Sequence, residues 1–209
     1  MANEIIDYGW GQIIWNQLYG FYPNAYGIAG LMGNLYAESA LVPYRKQGDY
    51  GGMPFEQSQL YTTQVNSGII SQDTFVHDSI GYGLAQWTYF SRKQGLYNMK
   101  NQGGYSSIGD VYLGCEFLHQ ELETGYRDTR AVIIAATSIK EASDYVLHNF
   151  ENPKEQGPEV EQLRYEYSQS CYEKFSGQGP VPPPPPPPTP TGKFSLPMAI
   201  AILAKAAQR

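Results

Sequence analysis

The stretch from Gly30 to Leu41, read G-L-M-G-N-L-Y-A-E-S-A-L, constrains the fold of this chain more than any other. Apolar residues recur there at helical spacing and predict an amphipathic helix over about residues 25–40. The stripe consists of Ile28, Leu31, Met32 and Leu35. Glu38 lies at its edge, about 70° from the centre at 100° per residue. A carboxyl group there is partly desolvated yet can face a cleft, and desolvation helps a glutamic acid keep its proton near neutral pH.

The same helix carries Gly27, Gly30 and Gly33 at every third position. Glycine costs about 0.5–1 kcal/mol inside a helix, so its repetition needs a reason. Close approach by a neighbouring helix is the commoner reason, and close approach by a ligand is the alternative. We therefore expect another element to pack tightly against this face.

Length and composition predict one packed domain, or one domain with an appendage. The chain has 209 residues, of which 42 % are hydrophobic, enough for one core. With 16 % charged residues and a net charge of −6, it shows no nucleic-acid-binding footprint. The 18 tyrosines offer flat rings with a polar handle, which suit sugars or a wet interface.

No targeting or membrane segment is recognisable in the sequence. Residues 1–10 lack the basic region and apolar core of a secretory signal, and no apolar run reaches transmembrane length. Cys115 and Cys171 are too few for a disulfide framework. If the protein acts outside a cell, we expect something else to deliver it.

Hydrophobic periodicity predicts a series of helices separated by one long irregular region. The helices are expected over residues 4–19, 25–40, 84–97, 107–125, 138–150 and 158–175. Capping boxes pair Ser107 with Asp110 and Ser138 with Glu141. Residues 44–79 should be irregular, with a short hairpin or short helices, and connections of this length are usually functional.

A second motif follows the irregular region and reads D-S-I-G-Y-G-L-A-Q-W over residues 78–87. Its glycines flank a tyrosine, so the backbone should turn tightly and approach a flat ligand closely. A helical glutamate, an irregular stretch and a Gly-Tyr-Gly-Leu-x-Gln turn follow one another as in lysozyme-like folds. Both motifs resemble the signature blocks of the phage tail-tip lysozymes. Weaker matches are S-I-G-D-V-Y-L-G-C-E-F-L-H-Q-E-L and F-E-N-P near residue 150.

The resemblance covers roughly residues 4–175, with Ala40 standing where glycine is expected. It implies a predominantly helical α+β, lysozyme-like fold and cleavage of the glycan strand of peptidoglycan. Glu38 would be the general acid, because the leaving oxygen must be protonated as an oxocarbenium-like transition state forms. Asp78 is the first candidate for a second carboxylate and Asp49 the runner-up.

Two other functions remain open from the sequence. A lytic transglycosylase needs no second carboxylate, because the 6-hydroxyl of the sugar itself attacks. A catalytically silent wall-binding module could use the same aromatic groove, although it has no need for a half-buried acid.

The resemblance also implies sugar contacts by Tyr82, Gln86 and Trp87, with a core role for Trp87 as an equal alternative. Glu151, in F-E-N-P, could line the cleft, but a solvated glutamate at a helix end is the commoner case. Tyr82, Gln86 and Trp87 would bind the glycan by stacking and hydrogen bonding.

Other chemistry is poorly supported. Cys115 and His148 could suggest a cysteine peptidase, but Cys115 lies in a clean apolar helical stripe, which favours core packing. Glu116, His119 and Glu123 fall at helical spacing, yet no remote ligand completes a metal site. We expect neither a metal nor an organic cofactor.

The predicted organisation is a catalytic domain at 1–176, a proline-rich linker at 177–193 and a short apolar, basic tail at 194–209. The unbroken proline run at 182–188 should form an extended spacer of about 3.1 Å per residue. The tail could dock onto phage tail or lysis components. We expect an enzyme carried on a virion or released at host lysis.

Overall fold

The computed structural model describes residues 4–177, and this part of the chain is 64 % helical. The predominantly helical prediction is therefore confirmed. In chain order, the elements of these residues are α1 (Gly11–Phe21), α2 (Ala25–Ser39), α3 (Glu56–Asn66), α4 (Gln72–His77), α5 (Phe90–Gly103), α6 (Val111–Thr124), α7 (Arg127–Ala135), α8 (Ile139–Val146), a π-turn (Leu147–Glu151) and α9 (Pro158–Phe175).

Helix α2 is the centre of the packing. It contacts α7, α8 and α9 as well as α1. A Cβ at Gly27 would overlap the backbone of α7, one at Gly30 the backbone of α8, and one at Gly33 the backbone of α9. The repeated glycines therefore serve close helix packing, which is the commoner of the two reasons expected from the sequence.

The two ends of α2 are held differently. At the start, the Asn24 side chain accepts hydrogen bonds from the backbone N–H of Tyr26 at 3.0 Å and of Gly27 at 3.2 Å. At the end, Ala40 and Leu41 have φ of 55° and 59°, in the left-handed region that favours glycine. This conformation costs an L-residue about 1–2 kcal/mol. The chain thereby turns away directly after Glu38.

The α+β prediction is not confirmed, because the residues from 4 to 177 form no strand. Only two isolated antiparallel bridges are present in these residues, Lys46 to Tyr82 and Tyr82 to Trp87. Positive φ values at Gly83 (79°) and Gln86 (43°) turn the chain within a few residues, so the ladder cannot extend. The region from 44 to 79 contains the short helices α3 and α4.

Several helix boundaries differ from the predictions. Helix α1 begins at Gly11 because the Asp7 carboxylate accepts from the N–H of Gly9 (2.9 Å) and of Gly11 (3.1 Å), which fixes a turn there. Helix α5 begins at Phe90 rather than at Leu84, and α7 was not predicted. The helix expected over 138–150 ends in the π-turn.

The predicted caps are partly confirmed. Ser138 accepts from the N–H of Glu141 at 3.2 Å, as the capping box requires. For α6, however, the N-cap is Asp110 itself, which accepts from the N–H of Tyr112 and Leu113. The Asp110 carboxylate lies directly before the helix and therefore reaches the first free amides.

Cys115 and Cys171 both pack in the core, and within residues 4–177 both are free thiols. Within the same range, no helix is both long and apolar enough to cross a membrane. The linker at 177–193 reaches one residue into the described range, and the tail at 194–209 lies outside it. The predicted domain boundaries therefore stay predictions.

Candidate active site

A cleft of about 420 Å³ opens beside the C-terminal end of α2. It is bounded by the loop after α2, the 81–89 turn, the start of α5 and the π-turn. Its lining residues are Glu38, Arg45, Lys46, Gln47, Gly48, Asp49, Tyr50, Gly81, Ala85, Gln86, Thr88, Tyr89, Arg92, Glu151 and Pro153. Carboxylates, cations and tyrosines therefore share one concave surface.

Glu38 reaches this cleft from the last turn of α2. Its side chain is 22 % exposed, and its Oε1 accepts a hydrogen bond from Nη2 of Arg164 at 2.6 Å. Arg164 is itself buried and donates from Nη1 to the carbonyl of Asn34 at 2.9 Å. Because Asn34 and Glu38 lie one turn apart, α2 and α9 hold the guanidinium in a fixed position.

Glu151 reaches the same cleft from the π-turn, so the interpretation of a solvated glutamate is wrong. Its Oε1 is buried and has no hydrogen-bond partner in the described residues. Burial raises the pKa of Glu151 to about 8, and the charge of Glu38 adds to the rise, while Arg164 and Arg92 oppose it. We refer to Glu38, Glu151 and Arg164 as the acid cluster.

The π-turn explains why α8 does not simply continue and expose Glu151. Phe150 packs edge-on against Tyr126 with ring centroids 4.8 Å apart, and Asn152, at φ 44°, donates to the carbonyl of Leu147 at 2.9 Å. The wider turn ends at Pro153. Such turns are frequent at functional sites, but the F-E-N-P letters alone do not reveal one.

Asp49, the runner-up second carboxylate, lines the cleft. Its carboxylate accepts from Oγ and N–H of Ser58 at 2.7 and 2.9 Å and from the N–H of Gly51 at 3.2 Å. Burial opposes ionisation, but these hydrogen bonds and the charge of Arg45 outweigh it and lower the pKa of Asp49. Asp49 is therefore ionised at neutral pH.

Asp78, the first candidate, does not line the cleft. Its carboxylate pairs with Nζ of the buried Lys93, accepts from the Tyr61 hydroxyl, and accepts from the N–H of Ile80 at 2.9 Å. Lys93 also donates to the Ile80 carbonyl at 3.0 Å. We refer to Asp78, Lys93 and Tyr61 as the lysine cluster.

Among the predicted sugar contacts, Gln86 lines the cleft, whereas Tyr82 and Trp87 are buried in the core. The Tyr82 hydroxyl bonds Oγ1 of Thr62 at 2.6 Å, and Nε1 of Trp87 donates to Glu121 at 2.8 Å. Neither ring presents a face to the cleft. The surroundings of Trp87 match the equal alternative, in which Trp87 packs in the core.

Gln86 connects the two walls of the cleft. Its amide donates to the carbonyl of Arg45 at 3.1 Å and to that of Gly83 at 3.0 Å. The N–H of Gly83 also donates to the Arg45 carbonyl at 2.8 Å. The 81–89 turn therefore supports the loop after α2 through the backbone of Arg45.

Two exposed tyrosines on the rim were missed by the sequence analysis. Tyr50 is 93 % exposed and Tyr89 is 75 % exposed. Large exposed rings beside a cleft are available for stacking. With 18 tyrosines in the chain, the only sequence signal for Tyr50 is its place among Gly48, Gly51 and Gly52.

Arginines add positive charge to the cleft. Nη1 of Arg45 is buried without a hydrogen-bond partner in the described residues, while its Cζ lies 4.1 Å from the centre of the Phe55 ring. Arg92 donates to both oxygens of Glu121, at 2.6 and 2.8 Å. Arg45 thus adds a positive charge to the lining of the cleft, whereas Arg92 is committed to its partner.

The weaker chemical alternatives are not brought together. His148 bonds Gln156 at 2.7 Å and Glu161 at 2.9 Å, while the thiol of Cys115 is buried, and burial raises its pKa. His119 stacks on Phe21 with ring centroids 4.1 Å apart. Within residues 4–177, no group of histidines, cysteines and carboxylates could hold a metal ion.

Comparison with known proteins supports the resemblance seen in the sequence. No curated protein and no solved structure matches the chain. The model of one family, described as phage tail lysozyme, matches residues 10–175 and thus most of the chain. That family indicates a lysozyme-like, peptidoglycan-degrading activity. The chain therefore belongs to the phage tail lysozyme family.

Proposed function

We propose that the protein hydrolyses the glycan strand of peptidoglycan in the cleft beside α2, with Glu38 as the general acid. The observation that carries this proposal is the position of Glu38 at a helix end, partly buried and facing an open cleft lined by further charges. Membership of the phage tail lysozyme family supports the substrate. The acid would protonate the glycosidic oxygen as the bond to the anomeric carbon breaks.

For the second carboxylate, we propose Asp49 in place of Asp78. Glycosidases place two carboxyl groups in surroundings that push their pKa values apart, so that one is protonated while the other is charged. The pKa of Asp49 is lowered, and its carboxylate lines the cleft. It would stabilise the positive charge that develops on the sugar or activate water. Asp78 has its carboxylate occupied by the lysine cluster.

The cleft also supports a bound glycan physically. Tyr50 and Tyr89 offer faces on which sugar rings can stack, and Gln86 keeps the loop of Arg45 in place. The guanidinium of Arg45, which lines the cleft, fits an acetamido carbonyl or a carboxylate of the substrate. These three features replace the stacking roles predicted for Tyr82 and Trp87.

The test is digestion of purified peptidoglycan by the wild type, Glu38→Gln and Asp49→Asn, followed by mass spectrometry of the products. Hydrolysis leaves a free reducing end, and we expect this product from the wild type only. An anhydro-muramyl end, with activity retained in Asp49→Asn, would establish a lytic transglycosylase instead. Binding to the wall without any product would establish a silent binding module.

The setting remains a proposal as well. The family name supports an enzyme carried on the phage particle or released at host lysis. Docking through residues 194–209 stays a prediction, because that segment lies outside the described residues.

A further inference from the structure

The proposed function does not explain how Glu38, in the acid cluster, obtains the proton that it delivers. Oε1 of Glu38 is paired with Nη2 of Arg164 at 2.6 Å, whereas the acid step needs a proton on the Glu38 carboxyl group. A nearby group must therefore keep a proton available at the pH of the reaction.

Glu151 is the group in the right place. It lines the same cleft as Glu38, and its buried Oε1 has no hydrogen-bond donor within the described residues. A buried carboxylate oxygen without a donor is costly when charged, whereas the neutral carboxyl group avoids most of that cost. The surroundings of Glu151 therefore favour its protonated form.

The count of charges around the cluster gives the same result. Arg164 on α9 donates to Glu38 on α2 and also acts to lower the pKa of Glu151 on the π-turn, but one cation can compensate only one carboxylate. Arg92 on α5 also influences Glu151, but it donates to both oxygens of Glu121 on α6. A second negative charge in the acid cluster would thus be left without a cation of its own.

We propose that Glu151 is a proton-sharing partner of Glu38, so that the two carboxyl groups hold one proton between them at neutral pH. This inference rests on the proposed function, because the shared proton is the one that Glu38 delivers. When the glycosidic C–O bond breaks, the proton and the bonding electron pair go to the leaving oxygen. The attacking water then returns a proton to the pair.

The electrostatics are consistent with this sharing. Burial and then the charge of Glu38 raise the pKa of Glu151 to about 8, Glu121 adds to the rise, and Arg164 and Arg92 only partly oppose it. Two interacting carboxyl groups lose their protons in two separated steps that belong to the pair. The second proton is then lost only above neutral pH.

The activity test compares pH profiles of kcat/KM for the wild type, Glu151→Gln and the control Glu155→Gln, which changes an exposed glutamate of the same segment. Glutamine keeps the shape of the neutral acid but cannot pass on a proton. In Glu151→Gln we expect activity at pH 7 to fall at least about tenfold while activity at acid pH is kept, with the basic limb about two pH units lower. A proportional loss with an unchanged profile would overturn the proposal.

A second measurement does not depend on activity or on the variant folding well. In the wild type, ¹³C NMR of the glutamate side-chain carboxyl groups should show a titration midpoint near 8. If every carboxyl group titrates below pH 6, the proton sharing is refuted. If the midpoint is present but the wild type releases no product at any pH, the pair stands and the proposed function fails.

Discussion

The acid cluster and the lysine cluster are built from similar parts but are satisfied to different degrees. In the lysine cluster, Asp78 compensates the fully buried Lys93, and both of its oxygens accept hydrogen bonds. In the acid cluster, Arg164 pairs with Glu38, and the buried Oε1 of Glu151 has no hydrogen-bond partner among residues 4–177. Buried polar groups are normally hydrogen-bonded, so the exception needs an explanation. We infer that the satisfied cluster holds the fold and the unsatisfied one performs the chemistry.

The largest expected effect is on activity. It is tested by the same change, a carboxylate replaced by an amide, in each of the two clusters. Glu38→Gln should lower the turnover of peptidoglycan about a thousandfold, the usual scale for a lost general acid. Asp78→Asn should leave the activity per folded molecule within a few-fold of the wild type. Turbidity assays normalised to folded protein measure both. Equal losses in the two variants would break the comparison and return Asp78 to the chemistry.

The second effect is on stability. Asp78→Asn removes the charge that compensates buried Lys93, so the free energy of unfolding should fall by about 3–5 kcal/mol, as for other broken buried pairs. Urea denaturation at neutral pH measures the change. The double variant with Lys93→Met should recover most of the loss, because it removes the uncompensated cation. An additive further loss would mean that packing rather than charge dominates at this site.

The third effect is a pH dependence of stability at Glu151. Its pKa is raised from 4.5 to about 8, so its favourable contribution is complete below about pH 4.5 and is lost as the pH rises through about 8. Glu151→Gln should therefore gain stability over the wild type across this range, on the order of 1.4 kcal/mol per pKa unit. Denaturation at pH 5 and pH 9 compares them. A difference that is independent of pH would contradict a neutral Glu151.

The smallest effect concerns the exposed tyrosines. Tyr50→Ala should raise KM several-fold with little change in kcat, since aromatic contacts contribute about 0.5–1.5 kcal/mol. Tyr50→Phe keeps the ring and should keep KM. The same pair of substitutions at Tyr89 shows which rim stacks more strongly. Unchanged KM in both alanine variants would remove the stacking role from the cleft.

The local elements could be predicted because their signals are local. The apolar stripe of α2, the Ser138 cap and the Pro158 start all depend on neighbours within one or two turns. The predicted start of a helix was wrong where a side chain accepts hydrogen bonds from nearby backbone N–H groups, as Asp7 does before α1. Of the two alternatives for residues 44–79, a short hairpin or short helices, the structure has the short helices α3 and α4.

The candidate site could be predicted only where one residue carries its own signal. Glu38 has such a signal, because helical spacing alone places it at the edge of an apolar stripe. Asp78 and Asp49 look alike as letters, and only Lys93 and Ser58, from other parts of the chain, separate them. Within the 81–89 turn, Trp87 is buried and Tyr89 is exposed, a difference that the sequence letters do not show.

The sequence by itself determined the helical class, the family and the helix that carries Glu38. Periodicity, caps and motif order depend on residues that are close together in the sequence, so they can be recognised without the tertiary structure. Only the tertiary structure decided that Arg164, 126 positions away, pairs with Glu38, and that Glu151 lines the same cleft with an oxygen that no described residue hydrogen-bonds. Charge states depend on burial and on nearby charges, and both arise only when α2, α9 and the π-turn pack together.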